Sequence, residues 1–158
     1  MARMRVLGVG NIDRGDDGAG RQTARLLRHM LLERAEVVEL DGEATAILSK
    51  FENADAVYVI DACVSGAPAG TVHRFDAGEG PLPEAFSDVS THGFGLAAAV
   101  ELARTLGQLP PRTIVYAIEG ESFEPGAPLS RDVAAATVIA ADRIRLEIEE
   151  ELKCTKPR

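Results

Sequence analysis

The segment Gly8-Val9-Gly10-Asn11-Ile12-Asp13-Arg14-Gly15-Asp16-Asp17-Gly18-Ala19-Gly20 constrains this chain more than any other. It follows an apolar run, Met4-Arg5-Val6-Leu7, and opens a helical pattern. A strand that ends in a tight glycine turn and feeds directly into a helix displays its groups at the carboxyl edge of a sheet. Sites in open α/β folds collect there. A phosphate-binding turn offers bare backbone amides. This one offers the carboxylates of Asp13, Asp16 and Asp17, which points to a cation or a polarised water rather than an anion.

Four further strand-like runs follow Arg5–Val9: Glu36–Leu40, Ala56–Asp61, Thr71–Phe75 and Thr113–Ile118. They are rich in valine and isoleucine and bounded by Gly, Pro, Asp or Asn. Helical patterns fill the gaps. From Asp17 to about Glu33, Ala19, Thr23, Leu26, Leu27, Met30 and Leu31 share one face. Glu43–Phe51 reads as a shorter helix. Thr91–Leu106 starts at a Ser90 or Thr91 cap and stops at Gly107. Ser130–Leu152 carries the stripe Val133, Thr137, Ala140, Ile144 and Ile148.

This alternation predicts an α/β fold: a three-layer α/β/α sandwich around an about five-stranded, mostly parallel sheet with one antiparallel strand. The connection Cys63–Gly70 is too short for a crossover helix, so Thr71–Phe75 is expected to run antiparallel to its predecessor. Residues 1–152 are expected to form a single domain and residues 153–158 a polar tail that frays.

Composition narrows the partners. A formal charge of −8 argues against nucleic acid. No apolar run approaches the ~20 residues of a membrane span, and the apolar start is too short for a signal peptide. Two cysteines, Cys63 and Cys154, make no disulfide framework. The expectation is a cytoplasmic protein with both thiols reduced.

Three polar residues are expected at one rim. Asp17 lies where the first strand turns into the first helix, Asp61 closes the apolar run Val57-Tyr58-Val59-Ile60, and His92 lies in the first turn of the third helix. Two carboxylates and an imidazole suit a borderline divalent metal such as nickel or zinc. A helix N-terminus disfavours the imidazolium and leaves His92 available to coordinate. Each residue also has a bland role. Asp16 and Asp17 suit a helix start, with Asp16 favoured as the cap. Asp61 suits a polar strand end and His92 a core or helix-start histidine. Cys63 reads as a small buried thiol. His73, in the expected edge strand, carries no chemistry in this reading, and Glu119 and Glu124 read as solvated loop acids.

The ordered motifs resemble a known family. The opening turn, Asp41-Gly42, Val59-Ile60-Asp61-Ala62, Ser90-Thr91-His92-Gly93-Phe94-Gly95-Leu96 and Glu119-Gly120-Glu121-Ser122-Phe123-Glu124-Pro125, followed by a long closing helix, are similar to those of the endopeptidases that mature nickel–iron hydrogenases. The resemblance covers nearly the whole chain. It implies a metal-dependent or aspartic-type endopeptidase that removes a C-terminal extension from the hydrogenase large-subunit precursor after nickel insertion. It implies that Asp17, Asp61 and His92 contact the metal, and that this nickel arrives with the precursor. Another divalent cation is expected to enter the same site in the isolated protein. Many members carry glutamate at the position of Asp17 and glycine at that of Glu43.

In this reading the docked nickel fixes the scissile peptide, and Asp41, at the end of the second strand, is a candidate general base or positioning group. Other readings stay open. The same three ligands would serve a non-catalytic nickel-sensing chaperone, or a peptidase of this fold acting on another protein. Gly8-Val9-Gly10 invites a dinucleotide, although Asp13 replaces the third glycine of that fingerprint. Cys63 with His92 would make a thiol hydrolase.

Overall fold

The computed structural model describes residues 2–83, 86 and 95–155. Five strands, β1 (Met4–Val9), β2 (Glu36–Leu40), β3 (Ala56–Cys63), β4 (Val72–Asp76) and β5 (Arg112–Glu119), form one sheet in the order β2-β1-β3-β5-β4. The first four positions in that order are parallel and β4 is antiparallel. Among the described residues, the helices are α1 (Ala19–Leu31), α2 (Ala44–Ser49), α3 (Leu96–Thr105) and α4 (Arg131–Cys154).

Both faces of the sheet are covered, which is why β3 and β5 are apolar along nearly their whole length. Val6, Tyr58, Ile60, Tyr116 and Ile118 point to one face. There they meet Leu27 and Leu31 of α1 and Val133, Ala140, Ile144 and Ile148 of α4. The alternate residues Leu7, Val9, Val57, Val59 and Val115 point to the other face. They meet Ile47 and Phe51 in and after α2, and Ala99, Val100 and Ala103 of α3. The result is the expected three-layer sandwich. Each fully buried Leu, Ile or Val in these layers contributes about 1.5–3 kcal/mol of transfer free energy. No helix among the described residues is long and apolar enough to cross a membrane.

The expected elements appear with three shifts. α4 runs to Cys154, past the anticipated end at Leu152. α3 is described only from Leu96, so Ser90, Thr91 and His92, where the sequence places its start, lie outside the described residues. The third shift concerns pairing. β4 does not lie beside β3; its partner is β5, with Val72 opposite Ile118 and Asp76 opposite Ile114. The Val64–Thr71 connection arches over the carboxyl end of β5, which slots between β3 and β4. A short loop fixes the direction of a strand, but here it steps across a neighbour that enters later in the chain.

The edge strand is tied to α4 by Glu147. Its carboxylate accepts hydrogen bonds from Arg74 Nη2 at 2.6 Å, Arg112 Nη2 at 3.2 Å and the Tyr116 hydroxyl. Burial alone would raise the Glu147 pKa; the Arg74 and Tyr116 bonds outweigh it and hold the group below its ordinary value. Glu147→Ala removes the hub and leaves its donors half-buried, so it should lower stability by about 2–3 kcal/mol. A lower urea midpoint at unchanged slope is the expected readout.

The strand order also locates a crevice. From β1 the chain moves through α1 to β2 on one side. It then returns through α2 to β3 on the other side of β1. The carboxyl edge therefore opens between β1 and β3, at the topological switch point where ligands of open α/β sheets bind.

Candidate active site

The glycine turn places Asp17 at this switch point. After Val9 the chain enters a short 3-10 turn, Gly15–Gly18, before α1. Two glycines make the close approach possible. Gly10 has φ +139°, and a Cβ there would lie 2.0 Å from the Asp17 carbonyl. A Cβ on Gly20 would lie 2.2 Å from the Ile60 carbonyl and 2.5 Å from that of Val9. The first turn of α1 thus rests directly on the ends of β1 and β3, as only glycine permits. Asp17 is buried, and its Oδ2 accepts the Asn11 N–H at 3.0 Å.

Asp61 comes from β3. It is not the strand's end, as the sequence suggested, but lies inside it, opposite Ala117 of β5. On its other side β1 pairs only as far as Gly8 with Ile60, so the space beside Asp61 is left to the Asp17 turn. Asp61 is 6% exposed, and its Oδ1 accepts the Ala62 N–H at 2.8 Å. Burial first, and the negative charge of Asp17 second, push its pKa well above the ordinary range, against the weaker pull of the Ala62 amide. The side chain borders a small cavity shared with Cys63, Phe75, Phe86, Leu96 and Ala117.

A buried acid held in the field of another acid weakens the fold. Because the folded pKa is raised, the penalty grows as pH rises from the unfolded value near 4 through the elevated folded value, and then levels off. Asp61→Asn keeps an acceptor for Ala62 and adds a donor facing Asp17. It should raise Tm at pH 7–8 by about 2–4 °C for each kcal/mol relieved and change little near pH 4. Differential scanning calorimetry at both pH values checks the sign.

The structure brings Asp17 and Asp61 together. His92 lies outside the described residues. Asp41 is exposed and lines an adjoining open groove with Asn11, Arg21, Gly42 and Glu43. Its Oδ1 closes a local turn by accepting the Glu43 N–H at 3.3 Å. Asn11 joins the two places, since its amide holds Asp17 while the residue lines the groove. Glu43 has φ −67° and ψ 129°, ordinary for any residue, so no glycine is needed there.

Asp16 corrects the sequence reading. It does not cap its own helix. Its carboxylate crosses to the β5–α4 connection and accepts the N–H groups of Glu121 (2.9 Å), Ser122 (3.0 Å) and Ser130 (2.7 Å), together with the Ser130 hydroxyl at 2.7 Å. Burial raises its pKa, but these bonds prevail and hold it below the ordinary value. Backbone bonds from Asp16 N to Ser122 O, Gly15 N to Ala127 O and Gly126 N to Asp13 O complete the seam. The two loops that frame the crevice are thereby locked to each other.

Glu119 is a second correction. It is buried at the last position of β5, not a solvated loop acid. It accepts Ser65 N–H at 3.1 Å, contacts His73 Nε2 at 3.0 Å and accepts the Cys63 thiol at 3.4 Å. The sequence alone assigns His73 no chemistry, yet the structure sets it against Glu119. The sequence did carry a signal for Glu119: it follows the apolar run Ile114–Ile118 just as Asp61 follows Val57–Ile60. Burial, and then the Glu119 charge, push the Cys63 thiol pKa far up. That is the opposite of an activated nucleophile and counts against a thiol hydrolase.

The turn is also poorly suited to a pyrophosphate. The Gly10 and Asn11 amides are already committed to Leu40 O and the Asp17 carboxylate.

Comparison with known proteins agrees with this fold. Residues 22–147 match the family model described as hydrogenase maturation protease. The Hydrogenase 2 maturation protease of Escherichia coli K12 is 29% identical over 152 residues, which cover 94% of this chain and 92% of that protein. The hydrogenase expression/formation protein HupD of Thiocapsa roseopersicina is 29% identical over 116 residues, 72% of this chain, and the match spans about half (52%) of that relative's length. The structure of the hydrogenase-maturating endopeptidase HybD from E. coli superimposes with a TM-score of 0.76 at 27% identity, covering 94% of this chain and 93% of that one. HybD from Thermococcus kodakarensis gives 0.71 at 25% identity, with 95% and 98% covered. With a family model matched along most of its length, this chain belongs to the hydrogenase maturation protease family.

Proposed function

We propose that the protein is an endopeptidase that removes the C-terminal extension of a nickel–iron hydrogenase large-subunit precursor once nickel is in place. It recognises the nickel on the substrate through Asp17 and Asp61. The observation that carries this reading is the pairing of these two buried acids at the switch point of a chain of this family. Two carboxylates that raise each other's energy form a poor resting pair and a good receptor for a cation. An arriving nickel ion would replace mutual repulsion with attraction and displace the proton that burial favours on Asp61. The family resemblance assigns His92 the third contact.

The chemistry then follows from position. A nickel held at the crevice anchors the precursor's C-terminal segment, and anchoring the scissile peptide supplies several kcal/mol of the barrier reduction. Water adds to the scissile carbonyl, the C–N bond breaks, and the amine leaves with a proton. In this reading Asp41, exposed on the groove that Asn11 also lines, takes the proton from that water. The Asp16 seam keeps the walls of the crevice in register while the precursor docks.

The test is a direct one. Purified protein is incubated with a precursor that carries its C-terminal extension, and the products are weighed by mass spectrometry. A shortened large subunit and one released peptide are expected. A stable complex with no cleavage would support the docking-protein reading instead.

A further inference from the structure

Beyond Asp61 on the same face of the sheet, three strands deliver a second set of ligating groups that the proposed cleavage does not use. Cys63 ends β3, His73 lies in β4 and Glu119 ends β5. Cys63 and Glu119 are buried; the His73 side chain is about one-fifth exposed. Their ligand atoms all lie within 4.8 Å of one another. We propose that Cys63, His73 and Glu119 form a resident site for a tetrahedral divalent cation of the zinc class, with ligands distinct from those of the Asp17–Asp61 crevice that it adjoins.

Geometry favours a centre over a simple hydrogen-bond cluster. Three side chains converge on Glu119 Oε1, Cys63 Sγ at 3.4 Å, His73 Nε2 at 3.0 Å and the Ser65 hydroxyl, while the Ser65 N–H lies 3.1 Å from both carboxylate oxygens. One carboxylate oxygen has two lone pairs and cannot serve three side-chain donors and a share of an amide well. Zinc bonds of about 2.3 Å to sulfur and 2.0–2.1 Å to nitrogen and oxygen make tetrahedral edges of roughly 3.5 Å (S to O) and 3.3 Å (N to O). The observed separations of 3.4 and 3.0 Å are already close to those edges. Thiolate, imidazole and carboxylate together are a zinc-type donor set, with the fourth position left for water or the Ser65 hydroxyl.

The surroundings fix the ligands. The His73 ring packs edge-on against Phe86, with centroids 4.8 Å apart, and stacks at 6.2 Å on Phe75. The Glu119 carbonyl accepts the Gly70 N–H at 2.8 Å, and the Cys63 carbonyl accepts that of Gly120 at 2.9 Å. Such outer contacts hold ligands in orientation. The exposed edge of the imidazole gives an entry path. On binding, the Cys63 thiol releases its proton to solvent and the thiolate donates to the cation. The ion would staple the ends of β3, β4 and β5 and the Val64–Thr71 arch at one point.

Cobalt(II) is a visible probe of such a site. The full chain carrying Cys154→Ser, which removes the exposed thiol, is stripped with a chelator and titrated with Co2+ and then with Zn2+. One equivalent of Co2+ should bring up thiolate-to-cobalt absorption in the near ultraviolet, and Zn2+ should bleach it. The signal should persist in Asp17→Asn/Asp61→Asn and vanish in Cys63→Ser. Saturating Zn2+ should raise Tm by about 5 °C or more. No thiolate band in the otherwise wild-type protein overturns the proposal. So does a band that survives Cys63→Ser, or one lost with the two aspartates. If Cys63→Ser does not fold, His73→Ala, which removes one ligand and leaves the thiol, should weaken Co2+ binding by about tenfold or more, and unchanged affinity overturns the proposal. None of these readouts involves a hydrogenase, so failure here and failure of the peptidase reading are separable.

Discussion

Asp17→Ala and Asp61→Ala are each expected to slow processing of a nickel-loaded precursor by about 10²-fold or more while leaving the protein folded. Both side chains sit at the switch-point crevice, where they would bear on one ion. The remote helices and the two cores do not involve them. The double variant should lose little more than either single one, because groups that act on a shared centre are not additive. Asp17→Glu should retain part of the activity. It lengthens the arm by one methylene, and the resembling family commonly carries glutamate there. Single-turnover cleavage followed by mass spectrometry, beside circular dichroism of each variant, makes the comparison. Full-rate cleavage by Asp17→Ala would remove this residue from the site.

Asp16→Ala is expected to have the largest effect on stability, a loss of about 3–5 kcal/mol. A fully buried carboxylate that serves three backbone amides and a hydroxyl leaves them all unpaired when it is removed. Asp16→Asn should cost less, since one oxygen remains to accept, although the amide's own donor is then misplaced among donors. The pH dependence has a definite sign. Because the folded pKa of Asp16 lies below its unfolded value, its contribution is fully present above about pH 4 and is lost as pH falls through the folded value. Urea unfolding of wild type and variant at pH 7 and near pH 2.5 should show a wide gap that narrows in acid. Equal stability at pH 7 would mean that the seam between the two loops is dispensable.

The contrast between Asp16 and Asp17 shows how far residues can be read before the chain is folded. Both sit at the same helix start, and local rules favour either one as a cap. What separates them is the β5–α4 connection, more than a hundred residues later, whose amides claim Asp16. Valine- and isoleucine-rich runs bounded by Gly, Pro, Asp or Asn mark every strand to within about two residues, and helical periodicity marks the buried stripe of α4 from Val133 to Ile148, because these signals are local. The partner of β4 was not legible, since loop length says nothing about which later strand will be inserted. The same insertion buried Glu119 and drew His73 onto it, so the Cys63–His73–Glu119 cluster was hidden for one topological reason. Asp61 was readable because a carboxylate that directly follows four apolar residues must be either partnered or functional.

Recognition of substrate-borne nickel by the Asp17–Asp61 crevice can be read by presenting one precursor in two forms, nickel-loaded and nickel-free, to the same wild-type protein and comparing initial cleavage rates. Cleavage of the loaded form with little or none of the empty form is the predicted result. Equal cleavage of both forms would contradict it.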